Sequence, residues 1–192
     1  MSSSELIRWG GIGAIVTGVM YAVRGGMIQL ELIHVEGIVV PAYAVVSVVA
    51  AVVAQLGKLV AIAGLYTLLR GRYAWQYGTV GSLTAFVGTL FSLMHPGADP
   101  LEGNDFSVFS ILALMLTFVG FLLLGYATME ARVLPWWCGV PFFLGVPFAP
   151  FLTPAFEGIG GPEIILGVVW VLVGYGLFSS GDAPTQQSTR VS

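Results

Sequence analysis

The sequence predicts an all-α fold, a polytopic transmembrane bundle of six helices, and two observations carry that prediction. The composition is 57% hydrophobic and 9% charged, with 26 glycines among 192 residues, which is typical of polytopic membrane proteins rather than of soluble domains. Most charged residues also lie between six apolar stretches that are long enough to cross a bilayer. These predicted spans cover residues 6–28, 42–69, 78–94, 106–129, 134–151 and 162–179.

The first span resembles a signal peptide because Arg8 precedes an apolar run. The run is longer than the usual apolar core of such a peptide and has no convincing small-residue cleavage site, so we interpret it as a retained helix. Arg24, near its far end, can extend to the membrane interface. The connection at residues 29–37, which carries Glu31, His34 and Glu36, is expected to lie in that interface.

The second span, residues 42–69, is the helix around which the other spans are arranged. Lys58 is its only residue that can carry a charge near neutral pH, and Arg70 and Arg72 follow its end. If Arg70 marks the polar boundary, Lys58 lies about 18 Å inside a hydrocarbon layer of about 30 Å. A charged group at that depth is costly, and it marks a candidate functional site.

Small residues in the second span recur at alternating steps of three and four, a spacing that lets a neighbouring helix approach closely. Lys58 is about 40° from Ala54 and about 60° from Ala61 around the helix, so it is predicted to face the bundle rather than lipid. Gln55, one turn earlier, is its nearest polar neighbour on the same helix. The small residues of spans one to four are Gly11, Ala14, Gly18 and Gly25; Ser47, Ala50, Ala54, Gly57, Ala61 and Gly64; Gly78, Gly81, Ala85 and Gly88; Ser110, Ala113, Thr117, Gly120 and Ala127.

Two connections have recognisable chemistry. Residues 71–77 are predicted to form a short basic and aromatic turn, in which Tyr73, Trp75 and Tyr77 act as interface anchors. Residues 95–105 are polar and rich in glycine and proline, which predicts a loop, and Asn104 or Asp105 is placed to cap the fourth span.

The last two spans differ in regularity. Pro141, Pro147 and Pro150 interrupt span five, and since each proline removes a backbone donor, that helix is predicted to be kinked or broken. Span six is predicted to begin at Pro162, with Glu163 in the first turn where the helix dipole favours an acid. A single domain, residues 1–180, contains all six spans, and residues 181–192 are predicted to be a disordered cytoplasmic tail.

The charges predict the orientation. With six spans, the arginines fall mainly on one side and most acids on the other, and the positive-inside rule then predicts a multi-pass protein of the cytoplasmic membrane with both termini in the cytoplasm. The arginines of the cytoplasmic side are Arg8, Arg70, Arg72, Arg132 and Arg190, and the acids of the outer side are Glu31, Glu36, Asp99, Glu102, Asp105, Glu157 and Glu163.

Several polar residues fall at a similar depth when they are counted from the predicted boundaries. Together with a backbone carbonyl that Pro147 would free, they could form a midplane site that binds an anionic headgroup or solute. The alternative is that the threonines bond to their own helices and Lys58 is neutral or satisfied by carbonyls. The predicted ligand-binding residues are Lys58, Gln55, Thr17, Thr84 and Thr117.

A second candidate site lies on the outer side. His34 and His95, with acids such as Glu31 and Glu36, could hold a divalent metal, or the two histidines a haem, if the loops converge. The sequence has no fixed metal-ligand spacing there, and the alternative is a set of ordinary solvated loop residues. The sequence therefore identifies no cofactor.

Other function classes find little support. There is no nucleophile elbow, no phosphate loop and no pair of carboxylates within one span, so catalysis is not predicted. An enzyme acting on lipid would have to use Lys58 or the outer histidines. The net charge of −3 and the absence of a basic run argue against nucleic acid as a partner, and Cys138 alone forms no disulfide within the chain.

Residues 59–94 combine Gly-Leu-Tyr at residues 64–66, a basic turn, and glycines at 78, 81 and 88. In these features the chain resembles small bacterial six-span membrane proteins whose activity is uncharacterised. The resemblance covers under a fifth of the chain and implies a polytopic fold but no activity.

Two functions therefore stay open. The first is binding or transport of a small anionic solute or lipid headgroup, with Lys58 as the central contact. The second is a non-catalytic subunit that packs against other membrane proteins or a second copy of the chain within the lipid bilayer. A wet cavity around Lys58 would favour the first, and a sealed core the second.

Overall fold

The computed structural model describes residues 2–32, 40–70, 72, 75–94, 108–140, 142–146 and 161–181, with the backbone alone at residues 28–32, 40–44, 109–110 and 161–162. Its regular structure in these ranges is entirely α-helical. The helices are α1, Ser3–Leu32; α2, Val40–Leu69; α3, Trp75–Met94; α4, Val108–Glu130; α5, Trp136–Val146; and α6, Gly161–Gly181. The predicted all-α bundle is thus confirmed.

Five of these helices contain windows long and apolar enough to cross a membrane: Ser3–Met27, Val45–Leu69, Trp75–Met94, Ile111–Glu130 and Glu163–Gly181. The helix ends show how the sequence sets their bounds. Ser2 and Glu5 form a reciprocal capping box, since each accepts a hydrogen bond from the backbone N–H of the other, at 2.7 and 3.2 Å. Pro162 occupies the first turn of α6, as predicted.

Two predicted boundaries were wrong. Residues 29–32 continue α1 instead of starting the interfacial connection, because glutamine, leucine and glutamate are all good helix formers. Trp75 and Tyr77 belong to the first turn of α3 rather than to the preceding turn. Both are about half exposed, as interface anchors should be, while residue 73 lies outside the described residues.

The helices pack side by side, each antiparallel to its neighbours. Helix α1 lies between α2 and α6, α2 also contacts α3, and α3 packs along α4. At one end of the bundle, the position of a Cβ on Gly181 would be within 3.4 Å of the Ser4 carbonyl oxygen. The start of α1 and the end of α6 are therefore at the same end.

Helix α5 fills the place between α4 and α6. The Cys138 thiol donates to the Leu172 carbonyl oxygen at 3.3 Å, and Gly125 of α4 packs against Phe143. Helix α5 is about 16 Å long over its described range and runs antiparallel to both α4 and α6. Residues 141, 147 and 150, the prolines predicted to kink or break this helix, lie outside the described residues, so that effect stays a prediction.

The end of α4 also has a defined geometry. Arg132 has a φ of 48°, and the N–H groups of Val133 and Arg132 donate to the carbonyls of Thr128 and Met129 at 3.4 and 3.2 Å. This is the Schellman pattern that ends many helices, with arginine in the position where glycine is most common.

The outer surface of the described helices is largely apolar, and the exposed tryptophans and tyrosines with described side chains lie at one end of the bundle. That end contains the start of α1, α3 and α5 and the last turns of α2, α4 and α6. Amphipathic rings at such a level are typical of a membrane interface. The residues are Trp9, Tyr66, Trp75, Tyr77, Tyr126, Trp136, Trp137 and Tyr175.

Candidate functional site

Lys58 lies inside the bundle, as its position beside the small residues predicts. It stands one residue past the centre of the apolar window Val45–Leu69, and its side chain is only 7% exposed. Helical side chains lean toward the N-terminus of their helix, which brings the ammonium back along α2 toward α1. Its Nζ lies 4.8 Å from the centroid of the Tyr21 ring, in a cation–π contact.

Glycines on both helices allow α1 and α2 to come this close. A Cβ on Gly57 would be 2.5 Å from Thr17 Oγ1 and 2.6 Å from the Gly13 carbonyl oxygen. A Cβ on Gly10 would similarly be 2.6 Å from the Cα of Gly64. Real Cβ atoms do not approach other atoms so closely, so the contact requires glycine at these positions. The predicted close packing through small residues holds here.

Thr17 ties the two helices together. Its hydroxyl is fully buried and lies 2.8 Å from the Gly13 carbonyl oxygen, within its own helix, and 3.0 Å from the Ala54 carbonyl oxygen, on α2. The single proton is therefore shared between two acceptors. Thr17 helps to hold α1 against α2 next to Lys58, which is the structural alternative that the sequence left open for the threonines.

Gln55 is half-buried one turn before Lys58. Its Oε1 atom is buried, and in the described part of the chain no donor reaches it. A buried amide oxygen without a partner costs free energy on the order of 1–3 kcal/mol. A bound water or ligand hydroxyl beside α2 would remove that cost.

The remaining predicted residues belong to a different helix pair. Thr84 is half-buried on α3. Thr117 of α4 packs against Gly88 of α3, where a Cβ would be 2.6 Å from the Thr117 hydroxyl, and that buried hydroxyl has no partner among the described residues. The predicted set thus divides into Thr17, Gln55 and Lys58 on α1 and α2 and Thr84 and Thr117 on α3 and α4.

Two residues that share one stripe of α1 with Thr17 were absent from the predicted set. Tyr21, 9% exposed, supplies the ring under the ammonium. Arg24 has a half-buried side chain whose Nε is buried without an acceptor among the residues described. The signal was available in the sequence, because Thr17, Tyr21 and Arg24 are spaced four and three residues apart and so share one stripe of α1.

The electrostatics of this region are unbalanced. The described acids with described side chains, Glu5, Glu130 and Glu163, all lie at helix ends. A cation–π contact contributes about 0.5–2 kcal/mol, whereas an unpaired charge buried in an apolar interior costs several kcal/mol or more. Tyr21 therefore offsets only part of the cost of a charged Lys58.

The proposed outer metal or haem site falls almost wholly outside the described residues. This applies to His34, His95 and Glu36, and Glu31 is described only as a backbone position in the last turn of α1. Within the ranges that are described, no group of three or more histidine, cysteine, aspartate or glutamate side chains could hold a metal ion.

The comparisons add no relative: no protein-family model, no curated protein and no solved structure matches the chain. The apolar helices make it an integral membrane protein in contact with the lipid bilayer.

Proposed function

We propose that this membrane protein binds a small anion, either a free solute or the phosphate of a lipid headgroup, at Lys58 in the interior of the bundle. The observation that carries the proposal is the burial of Lys58, which lies near the centre of an apolar helix and is only 7% exposed. Among the described residues, its ammonium contacts the aromatic ring of Tyr21. A nearby anion would supply the charge that Tyr21 cannot supply.

Helix α2 provides further support. Gln55 has an unused buried carbonyl oxygen, which suits a ligand that carries a hydroxyl or a protonated phosphate oxygen as well as a negative charge. The Thr17 hydroxyl, in contrast, is occupied by two carbonyls. We therefore assign binding to Lys58, Tyr21 and Gln55 and give Thr17 the role of holding α1 and α2 together.

Equilibrium binding to protein in lipid nanodiscs tests the proposal. Radiolabelled inorganic phosphate should bind wild-type protein in phosphatidylcholine discs, and Lys58→Met should abolish binding. Arg72→Gln, which removes an exposed arginine beyond α2, is the matched control and should bind as wild type does. If phosphatidylglycerol in the discs blocks phosphate binding, the lipid headgroup is the natural ligand; if wild-type protein binds neither, the proposal is wrong.

A second candidate function is a non-catalytic subunit of a larger membrane complex. It is favoured by an open apolar groove between α1 and α6, on the outside of the bundle, lined by Gly18, Val19, Ala22, Val23, Gly167, Val168, Val171 and Leu172. A protein occupying this role would co-purify with its partner, or with a second copy, in mild detergent. Val19→Trp and Val168→Trp would then disrupt the complex without affecting phosphate binding.

We also propose that the protein lies in the cytoplasmic membrane with both termini inside. Arg8, Arg72 and Arg132 are at the same end of the bundle as the exposed aromatic rings, and arginines near helix ends favour the cytoplasmic side. Reporter fusions test this: a reporter fused after Ser192 should be active only in its cytoplasmic form, and an external signal there would contradict the proposal.

A further inference from the structure

We infer that Arg24 forms the entrance to the Lys58 site, so that an anion enters from the end of the bundle where α1 finishes. The inference rests on the proposed function and adds the route and the second cation. Arg24 would bind the anion first, and Lys58 would then hold it inside the bundle. The Tyr21 ring would lie between the two cations.

The positions along α1 support this route. Thr17, Tyr21 and Arg24 occupy successive turns of one stripe, so Arg24 lies about 4.5 Å beyond Tyr21 along the helix axis. Exposure rises along the same stripe, from fully buried at Thr17 through 9% at Tyr21 to half-buried at Arg24. Lys58 Nζ lies over the Tyr21 ring. The stripe therefore leads from the edge of the bundle to the buried ammonium.

Arg24 has hydrogen-bonding capacity to spare. Its Nε is buried and has no acceptor among the described residues, although a guanidinium presents five donors in a planar fork. That fork fits two oxygens of one phosphate or carboxylate. We therefore infer an anion with at least two oxygen atoms on one centre, which a halide would not satisfy.

Among the charged residues with described side chains, Glu163 is the other one at this end. It begins α6 one turn before Gly167, which packs against Gly18 and Ala22 of α1. Glu163 makes interactions of its own, and its carboxylate would repel an anion that approached along α6. An approach along the face of α1 that carries Arg24 avoids the Glu163 carboxylate.

The two cations should have separate kinetic signatures. Removing a charge at the rim of a site changes the association rate and its salt dependence, whereas removing a buried partner changes dissociation. Arg24→Gln should slow association of inorganic phosphate by roughly 3–10-fold and flatten its dependence on ionic strength. Dissociation should change less than about twofold in this variant, and Arg24→Lys should restore most of the association rate because it restores the charge.

Rapid filtration of radiolabelled phosphate from nanodisc-embedded protein measures both rates. The comparison set is wild type, Arg24→Gln, Arg24→Lys, Lys58→Gln and the exposed control Arg72→Gln, each first checked for helix content and monodispersity. Slow association confined to Arg24→Gln supports the inference.

Three other outcomes contradict it. If Arg24→Gln binds phosphate at the wild-type rate while Lys58→Gln loses phosphate, Arg24 is not the entrance and the site at Lys58 stands. Absence of phosphate and phosphatidylglycerol binding in the wild type overturns the proposed function and, with it, the inference. Faster dissociation without slower association in Arg24→Gln would make Arg24 part of the inner site and would also overturn the inference.

Discussion

The contact between α1 and α2 is built from the smallest side chains of the chain, whereas the contact among α4, α5 and α6 is built from the largest. In the first, Gly10, Gly13, Gly57 and Gly64 bring the two backbones together. In the second, Phe121, Phe142 and Trp170 are fully buried and meet edge to face in all three pairs, with ring centroids 5.4–5.6 Å apart.

The difference shows where a polar ligand could bind. Close backbones expose carbonyl oxygens to neighbouring side chains, and the Thr17 hydroxyl reaches one on each helix. The aromatic cluster is filled by rings, whose polar atom, Trp170 Nε1, finds no acceptor among the described residues. Lys58 lies at the contact between α1 and α2, where polar groups are within reach. The aromatic cluster, in contrast, stabilises its part of the bundle through dispersion and edge-to-face contacts.

The largest expected effect comes from enlarging the small-residue contact. Gly57→Leu should destabilise the protein by more than about 4 kcal/mol, because a side chain there meets the Gly13 carbonyl oxygen and the Thr17 backbone nitrogen as well as the Thr17 hydroxyl. Size-exclusion chromatography and thermal unfolding in detergent would measure the loss. Gly26→Leu on α1 is the control, since a Cβ at Gly26 has no neighbour within 4 Å; an equal loss in both variants would contradict the packing described here.

A smaller loss is expected when the aromatic cluster is emptied. Phe142→Ala should cost about 3 kcal/mol, because the cavity left between Phe121 and Trp170 can close only partly. Unfolding by a denaturing detergent, followed by circular dichroism, measures it. Leu144→Ala on the same helix removes a side chain that is 48% exposed and should cost less than about 1 kcal/mol. Similar losses for the two would show that the cluster is not a rigid core.

How far these features could be predicted depends on the kind of signal. Hydropathy predicted six spans, and five of them are helices long enough to cross a membrane, with only small errors at their ends, because a bilayer fixes both length and polarity. The burial of Lys58 followed from its angle to Ala54. Which residues lie around it could not be predicted, since helix order and tilt depend on contacts between distant segments. Counting depth grouped Thr84 and Thr117, on α3 and α4, with Lys58 on α2, and that grouping stays a prediction.

Tyr21 was missed for a related reason. A tyrosine inside an apolar helix has no distinctive pattern, and its role appears only when Lys58 of another helix reaches its ring. The spacing from Thr17 to Tyr21 and Arg24 could have drawn attention to one polar stripe on α1. It could not have identified α2 as the helix that the stripe faces.

The smallest expected effect concerns the hydrogen bond between α1 and α2. Thr17→Val keeps the shape of the side chain and removes the shared proton, which should cost about 1 kcal/mol in a membrane setting. Thr67→Val is the matched control, because the Thr67 hydroxyl bonds only within α2, to the Ala63 carbonyl oxygen at 2.8 Å. The difference in unfolding free energy between Thr17→Val and Thr67→Val measures the hydrogen bond between the two helices. A larger loss for Thr67→Val would contradict the role of Thr17 in holding α1 and α2 together.

The measurement that tests the central claim most directly is the melting temperature of wild-type and Lys58→Met protein, each with and without inorganic phosphate. A buried charge without a bound anion should lower the stability of the protein. Without phosphate, Lys58→Met should therefore melt at the same temperature as wild type or at a higher one. Phosphate at about 100 times its dissociation constant should stabilise the wild type by about 2.7 kcal/mol and leave Lys58→Met unchanged. A variant that melts lower than wild type without phosphate, together with a wild type that phosphate does not stabilise, would show that Lys58 serves the fold and not a ligand.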